Sequence, residues 1–583
     1  MERWWRTRRL FCILCASDMS DAIWSNSSSR LRDIFDHEVH HHNRSWFAFI
    51  WVAAAATIVI SPQFFLGNAS GHDIQFHLAS WMEVVQQWRQ GIFYPRWAEW
   101  ANFGFGEPRF IFYPPASWLL GAVLGLILPW RMVPGAFIWV ALVIAGASMH
   151  RLARAWLRPQ DAITAAVLYA VNPYHLVIVY YRSDFAELLA SAFFPLLILQ
   201  TLLLAREGWR RVPRFAIVFA LIWLTNAPAA VIATYSVAVI VVSEIVLGRS
   251  LKPVLQTAVA GASGFALASF YMVPAVVEQR WVEISQSLAP ELQPWRNFLF
   301  IHADDPEFVL FNLKVSGVAL LVVAVFGIAT VLAARRRESA PGVFWPLLTL
   351  GSVSLILMFP WTAWLWRHAP ELAFVQFPWR WLLPLDVVAV FFLCAAIASL
   401  RRRWIAWSLA ALVLVVLGAW MTTNNWWDDQ DAAFVADSIA SGAGYQGTDE
   451  YQPLGCDRTD LPDNPQRASL IDPQTKAAAP SAGVRLHVDS WTAEHKIVTV
   501  DSPRPVTLAL QLLAYPAWRA MVNGTAVAIQ PLPDTAVVSL PLRAGSSHVE
   551  LHFTRTRDRT LGGFISLAAG ICLLPFVRSR KRL

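Results

Sequence analysis

Residues 47–66, FAFIWVAAAATIVISPQFFL, decide the class of this protein. A charge-free run of roughly 20 apolar residues is long enough to cross about 30 Å of hydrocarbon. Aromatic residues and Pro62 follow it where a secretory signal would carry a small-residue cleavage site, so it reads as a retained first helix. Residues 71–115 come next, GHDIQFHLASWMEVVQQWRQGIFYPRWAEWANFGFGEPRFIFYPP. Asp73, His77, Glu83, Arg96, Glu99, Glu107 and Arg109 lie there among Trp, Tyr and Phe. That stretch is too polar to span a bilayer and too aromatic for an idle linker. It reads as a membrane-surface loop that holds a reactive group.

Outward from this loop the same pattern recurs. The 583 residues are 56% hydrophobic and 15% charged, and apolar runs of spanning length repeat along the chain, as expected of a polytopic α-helical membrane protein. The net charge of +7 comes from short Lys/Arg clusters between apolar runs, the mark of cytoplasmic loops, and this excludes a nucleic-acid-binding class. The five cysteines form no disulfide framework: Cys12 and Cys15 make a CxxC without a second pair, and Cys456 stands alone in a polar segment. His37, His40, His41 and His42 cluster near the first span without a cysteine beside them, and no metal or other cofactor is expected. Many of the 30 tryptophans flank apolar runs, where an indole suits the headgroup level.

Keeping the basic clusters on one side gives about twelve spans, with 116–130 an interfacial or re-entrant helix. The expected organisation is a basic cytoplasmic tail over 1–45 and a transmembrane domain over 46–421 whose first outer loop is 67–131. An extracytoplasmic β-domain over 422–559 and a last helix with a basic cytoplasmic tail over 560–583 complete it. From about residue 484 short alternating segments (VRLHVDSW, KIVTVD, VTLALQLLAY, RAMVNGTAVAI, AVVSLPL, HVELHFTRT) predict a small β-sandwich, with Asn523-Gly524 at a hairpin turn.

Several outer charges exceed what topology requires. Asp73 and His77 are four residues apart and share a helix face; Trp81 and Trp88 extend a related apolar face that suits a membrane surface. Asp73 is the candidate general base, against the plainer reading of a residue that starts a surface helix. In YYRSDFAE (180–187), Arg182 precedes Asp184 and Glu187, which share one face of the next helix and either serve a site or cap that helix. Arg380, beside Pro378 and Trp379 at the start of an apolar helix, needs an anion there, a ligand phosphate or a carboxylate. Arg280 belongs to a mixed-charge outer loop able to grip a phosphate.

Many spans, an acid soon after the first helix and a C-terminal outer domain together resemble the GT-C glycosyltransferases. GHDIQFHL (71–78), GIFYPRW (91–97), FGFGEPRFIFYPP (103–115), YYRSDFAELLA (180–190), QFPWRWL (376–382), GTDEY (447–451) and YPAWRAMVNG (515–524) further resemble the bacterial membrane proteins labelled 6-pyruvoyl-tetrahydropterin synthase-related. No soluble pterin synthase domain accompanies them, so pterin chemistry is not expected. The resemblance implies an inverting, metal-independent transferase in the bacterial cytoplasmic membrane that moves a sugar from a polyprenyl-phosphate donor to a cell-envelope acceptor. It implies Asp73, with His77, as the catalytic pair, and Arg380, Arg182 and Arg280, in that order, against the lipid phosphate. Glu187 or Asp184 is implied to orient the acceptor or to hold a divalent ion. The family often carries paired acids where this chain has Gly71-His72-Asp73. The alternatives are a transporter or flippase of a lipid-linked saccharide, which needs ionisable residues inside spans, and a non-catalytic envelope scaffold.

Overall fold

The computed structural model describes residues 42–301, 306–335, 342–398, 400, 402–462, 465–475, 478–479 and 483–578. The basic tail up to residue 41, with its CxxC and most of its histidines, and the last five residues lie outside the described residues.

Among the described residues nine helices are long and apolar enough to cross a membrane, or ten if Phe344–Leu357 and Pro360–His368, joined at a 94° bend, form one span. Phe49, Trp51 and Ile58 on the first helix and Val413, Val415 and Val416 on Arg403–Thr423 are exposed, as lipid-facing side chains would be. The count is below the expected twelve partly because 186–205 and 213–226 fall in one helical run, Phe185–Trp223, of 39 residues. Straight, that run would measure roughly 58 Å at 1.5 Å per residue, about twice a bilayer core. It instead folds back at the short turn Gly208–Arg211. At one end the Phe185 ring lies 5.1 Å from the His77 ring, at the other Ala116 N donates to Leu224 O (2.7 Å), and Arg206 in between pairs with Glu244 (2.6 Å) at the far end of Ala227–Gly248.

The loop after the first helix is packed protein. Its helix Ile74–Arg89 carries the short apolar helix Pro115–Ile127, too short at 13 residues to cross a bilayer. Contact is close at Gly121, where a Cβ would come within 2.2 Å of the Trp81 ring. Trp81 is fully buried, stacked 5.2 Å from Phe137, and Trp88 is half-buried with its indole bonded to Phe93 O. Trp81 is a core residue of the loop and Trp88 packs partly buried against that core, which corrects for Trp81 the expectation of a face lying on the membrane. Trp81 is covered by Gly121 and by Phe137 of Val133–Arg154.

Strands β1 (Asn68–Ala69) and β2 (Trp427–Asp428) pair across the entrance to this loop. Strands β3 (Ala468–Ile471), β4 (Arg485–Trp491), β5 (His495–Ser502), β6 (Val506–Leu513), β7 (Trp518–Val522), β8 (Thr525–Val527), β9 (Gln530–Pro531), β10 (Val537–Leu542) and β11 (Gly545–Phe553) form the C-terminal domain. They make a four-stranded sheet, β3-β6-β10-β9, and a five-stranded sheet, β4-β5-β11-β7-β8. Asn523 and Gly524, both at positive φ, form the two-residue turn between β7 and β8. The sheets bury Val498, Leu508, Leu540, Val549 and Leu551 and share that core with Trp97 and Phe105 of the loop.

A second joint ties this domain to the helices. Glu278, fully buried at the end of Lys252–Glu278, receives Arg559 Nε and Nη2 (both 2.7 Å), Thr556 Oγ1 (3.1 Å) and the Tyr515 hydroxyl (2.6 Å). Tyr515→Phe removes a hydroxyl donor from a buried carboxylate and is expected to cost about 1.5–3 kcal/mol, read by chemical unfolding of the detergent-solubilised protein. An unchanged midpoint would mean that water takes the hydroxyl's place.

Candidate active site

Asp73 is placed by a close approach of two loops. Asp73 N donates to Arg182 O (2.9 Å), Gly71 N to Ser183 Oγ (3.1 Å), and Ser183 Oγ to Ala69 O (2.8 Å). Gly71 is required there, since a Cβ would lie 2.5 Å from the Arg182 carbonyl carbon. On the other side, a single π-helical turn, Ile178–Arg182, ends at Ser183 in the left-handed region (φ 53°). That turn presents Arg182 and Asp184 side by side. Asp184 caps Phe185–Ser191 by accepting Glu187 N (2.9 Å) on Oδ1, as the capping reading expects, and its Oδ2 accepts from Arg182.

The charges converge. Arg182 Nη1 donates to Glu187 Oε2 (2.8 Å), and Arg182 Nη2 to Asp184 Oδ2 (3.1 Å) and Asp73 Oδ2 (3.4 Å). Arg380, on the turn Pro378–Trp381, sends Nε to Glu187 Oε2 (2.8 Å) and Nη2 to Asp184 Oδ2 (3.3 Å). Its Nη1 donates to Val375 O (2.9 Å) and Gln376 Oε1 (3.2 Å). Tyr174 donates to Glu187 Oε1, and the Phe377 ring lies under both guanidinium groups, at 5.4 Å from Arg182 and 5.0 Å from Arg380. Residues 73, 182, 184, 187 and 380 therefore form one network. Glu187 is fully buried and Arg182, Asp184 and Arg380 nearly so, whereas the Asp73 side chain is 38% exposed. Asp73 sits at the N-cap position of Ile74–Arg89 without a side-chain cap bond; its carboxylate faces the cluster. Desolvation raises the Asp73 carboxyl above the usual aspartate range, and Arg182 and Arg380 draw it part of the way back.

His77 lies behind the cluster. It is buried among Phe76, Trp81 and Phe185, and its Nε2, 4.0 Å from Asp184 Oδ1, makes no hydrogen bond. Burial, with Arg109 and Arg182 nearby, pushes its pKa down to about 3, so the ring is neutral. Arg280 is exposed on the turn Gln279–Trp281, its guanidinium over the Trp281 ring (5.3 Å), and among the described residues it makes no hydrogen bond or ion pair with the cluster.

The remaining loop charges serve the loop's own fold. Glu83 accepts Glu99 N (2.7 Å), Trp100 N (2.9 Å) and the Tyr445 hydroxyl (2.5 Å), while burial lifts its pKa to about 7. Glu107 holds Arg109 Nε (2.8 Å) and Thr448 N (2.8 Å). Sequence reasoning passed over Tyr174, Gln376 and Phe377, which touch the cluster, and Lys314, which lies over Tyr181, the residue before Arg182. Lys314 Nζ is 4.5 Å from the Tyr181 ring centre and 3.4 Å from Asn424 O, and no acid pairs with it among the described residues. The available signal was a lone lysine in the otherwise uncharged apolar stretch Phe308–Ala334.

No curated protein matches the sequence. Among solved structures the chain is similar to the arabinofuranosyltransferase AftD from Mycobacteria, mutant R1389S class 2, at 17% identity and TM-score 0.42, over 66% of this chain and 28% of that one. It is also similar to the apo oligosaccharyltransferase of Archaeoglobus fulgidus at 13% identity and TM-score 0.39, over 70% of this chain and 57% of that one. The chain thus spans less than two thirds of either protein. The family model for the 6-pyruvoyl-tetrahydropterin synthase related domain, described as a membrane protein, matches residues 110–426, more than half of the 583, and the chain belongs to that family.

Proposed function

We propose that the protein is an integral membrane glycosyltransferase that moves a sugar from a polyprenyl-phosphate donor to a cell-envelope acceptor at the outer face of the bacterial cytoplasmic membrane. The observation that carries this reading is the half-exposed Asp73 carboxylate, backed by buried guanidinium groups, with Oδ1 unbonded among the described residues. Asp73 Oδ1 takes the proton of an acceptor hydroxyl as that oxygen attacks the anomeric carbon. The bond from that carbon to the phosphate oxygen breaks, and its electron pair leaves on the lipid phosphate with inversion at carbon.

Arg182, braced by Arg380 through the carboxylates of Glu187 and Asp184, holds Asp73 in place within this reading. The cluster sets three carboxylates, Asp73, Asp184 and Glu187, against two guanidiniums, a balance that does not attract an anion. The cation assigned to the leaving phosphate is Lys314, close to Tyr181 and one helical turn from Phe311, whose ring meets His72 at 5.0 Å. Lys314→Gln is expected to raise KM for the lipid donor about tenfold with a smaller change in kcat, read by initial rates at varied donor. An unchanged KM would remove Lys314 from the donor site. The proposal as a whole is tested with purified protein and labelled polyprenyl-phosphate sugar. Release of polyprenyl phosphate is expected, and its absence with every acceptor fraction of the cell envelope would overturn the reading.

A second reading, transport of a lipid-linked saccharide, draws on Asp386. This carboxylate is buried in the apolar helix Leu382–Ile397, with Oδ2 unbonded, and an isolated acid inside a span suits ion coupling. Asp386→Asn in vesicles separates the two: a transporter loses saccharide movement, while a transferase keeps its turnover.

A further inference from the structure

The five-stranded sheet turns Lys496, Val498 and Val500 of β5 and Ser547, Val549 and Leu551 of β11 inward. The alternate residues lie on its outer face, which none of the chemistry above uses. There His495 and His552 are direct cross-strand partners, and Glu550 precedes His552 by two residues on the same face. The two imidazole rings are stacked, 4.1 Å between centroids at 11°. Both Nε2 atoms aim at one oxygen, Glu550 Oε1, at 3.0 Å from His495 and 2.7 Å from His552. One ligand atom from each residue falls within 4.8 Å of the other two.

We propose that His495, Glu550 and His552 bind a divalent transition-metal ion of the Zn²⁺ or Cu²⁺ class on the outer face of this domain. Two imidazoles and a carboxylate are a donor set that such ions take, whereas Mg²⁺ and Ca²⁺ call for oxygen ligands alone. The backbone is already in place. The eight paired positions between β5 and β11 fix the three Cα atoms, so side-chain rotation closes the ligand atoms on an ion. The three side chains are 34%, 29% and 41% exposed in chain order, which leaves an entry path and further coordination positions open to water or an external ligand.

The test is a Zn²⁺ titration, by calorimetry, of the full chain in detergent, purified without a histidine tag. His37, His40, His41 and His42 are changed to Gln to silence the N-terminal cluster. One ion per chain is expected, and Co²⁺ in place of Zn²⁺ gives visible absorption bands. His552→Ala removes a ligand and should weaken binding by about tenfold or more. Glu550→Gln, which keeps the shape and loses the charge, should weaken it as well. His548→Ala, on the same face outside the trio, should leave affinity unchanged. All four residues lie on the outer face of the sheet, and an unchanged unfolding midpoint confirms that each variant is folded. Absence of binding to the parent, or equal affinity in His552→Ala and the parent, would overturn the proposal.

Discussion

Asp73→Asn is expected to lower sugar transfer by about a thousandfold or more while leaving expression and the unfolding midpoint close to those of the parent. The amide keeps the volume of the carboxylate and its contact with Arg182, but it cannot accept the acceptor's proton. The contact it alters is long, 3.4 Å, and half open to solvent, so little stability rests on it. The pH profile gives a second readout. Desolvation raises the Asp73 carboxyl, the active form is the ionised one, and the rate therefore rises as pH climbs through a value above the usual aspartate range and falls below it. The Asn variant loses that limb. Transfer at the parent rate by Asp73→Asn would remove this residue from the chemistry.

Glu187→Ala is expected to destabilise the fold by about 3–5 kcal/mol, because it strips the shared partner from two buried guanidiniums. Arg182 and Arg380 each donate to Glu187 Oε2 at 2.8 Å, and Tyr174 donates to Oε1, in a residue with no exposed surface. Asp184 would then be the one buried carboxylate left to the two cations, since Asp73 reaches only Arg182, at 3.4 Å, and is partly exposed, and water has little access to the space left behind. Thermal unfolding in detergent, with yield from the membrane as a second measure, reads the loss. Glu187→Gln keeps a carbonyl oxygen for one guanidinium and should fall between the parent and the Ala variant. A Glu187→Ala protein as stable as the parent would show that the cluster is not what holds these loops together.

The outward logic of the sequence was legible wherever a local periodicity carried it. Apolar runs of spanning length and the two-residue alternation of β4, β5 and β11 each reflect a solvent boundary repeated along the chain, and a periodic boundary is readable one residue at a time. Asp184 and Glu187 were legible as one face because helical spacing alone brings them together. The tryptophans were not. An indole that anchors at an interface and one that fills a core look alike until the covering residue, here Gly121 over Trp81, is known. Nor was β3 or the partnership of β1 with β2, whose short segments are strands only because distant ones lie beside them.

The candidate site divides in the same way. By itself the sequence determined that Asp73, Arg182, Asp184, Glu187 and Arg380 are costly charges beside apolar helices, since desolvation of an ion depends on its apolar surroundings and those are written locally. Tertiary structure decided which charge answers which. It joined positions more than a hundred residues apart, turned Arg182 and Arg380 toward carboxylates, closed His77 off behind them, left Arg280 outside and Lys314 beside Tyr181, and gave Asp73 the exposed edge. The physical reason is that Coulomb and hydrogen-bond energies fall off over a few ångströms of space, and the chain's own order does not contain those distances.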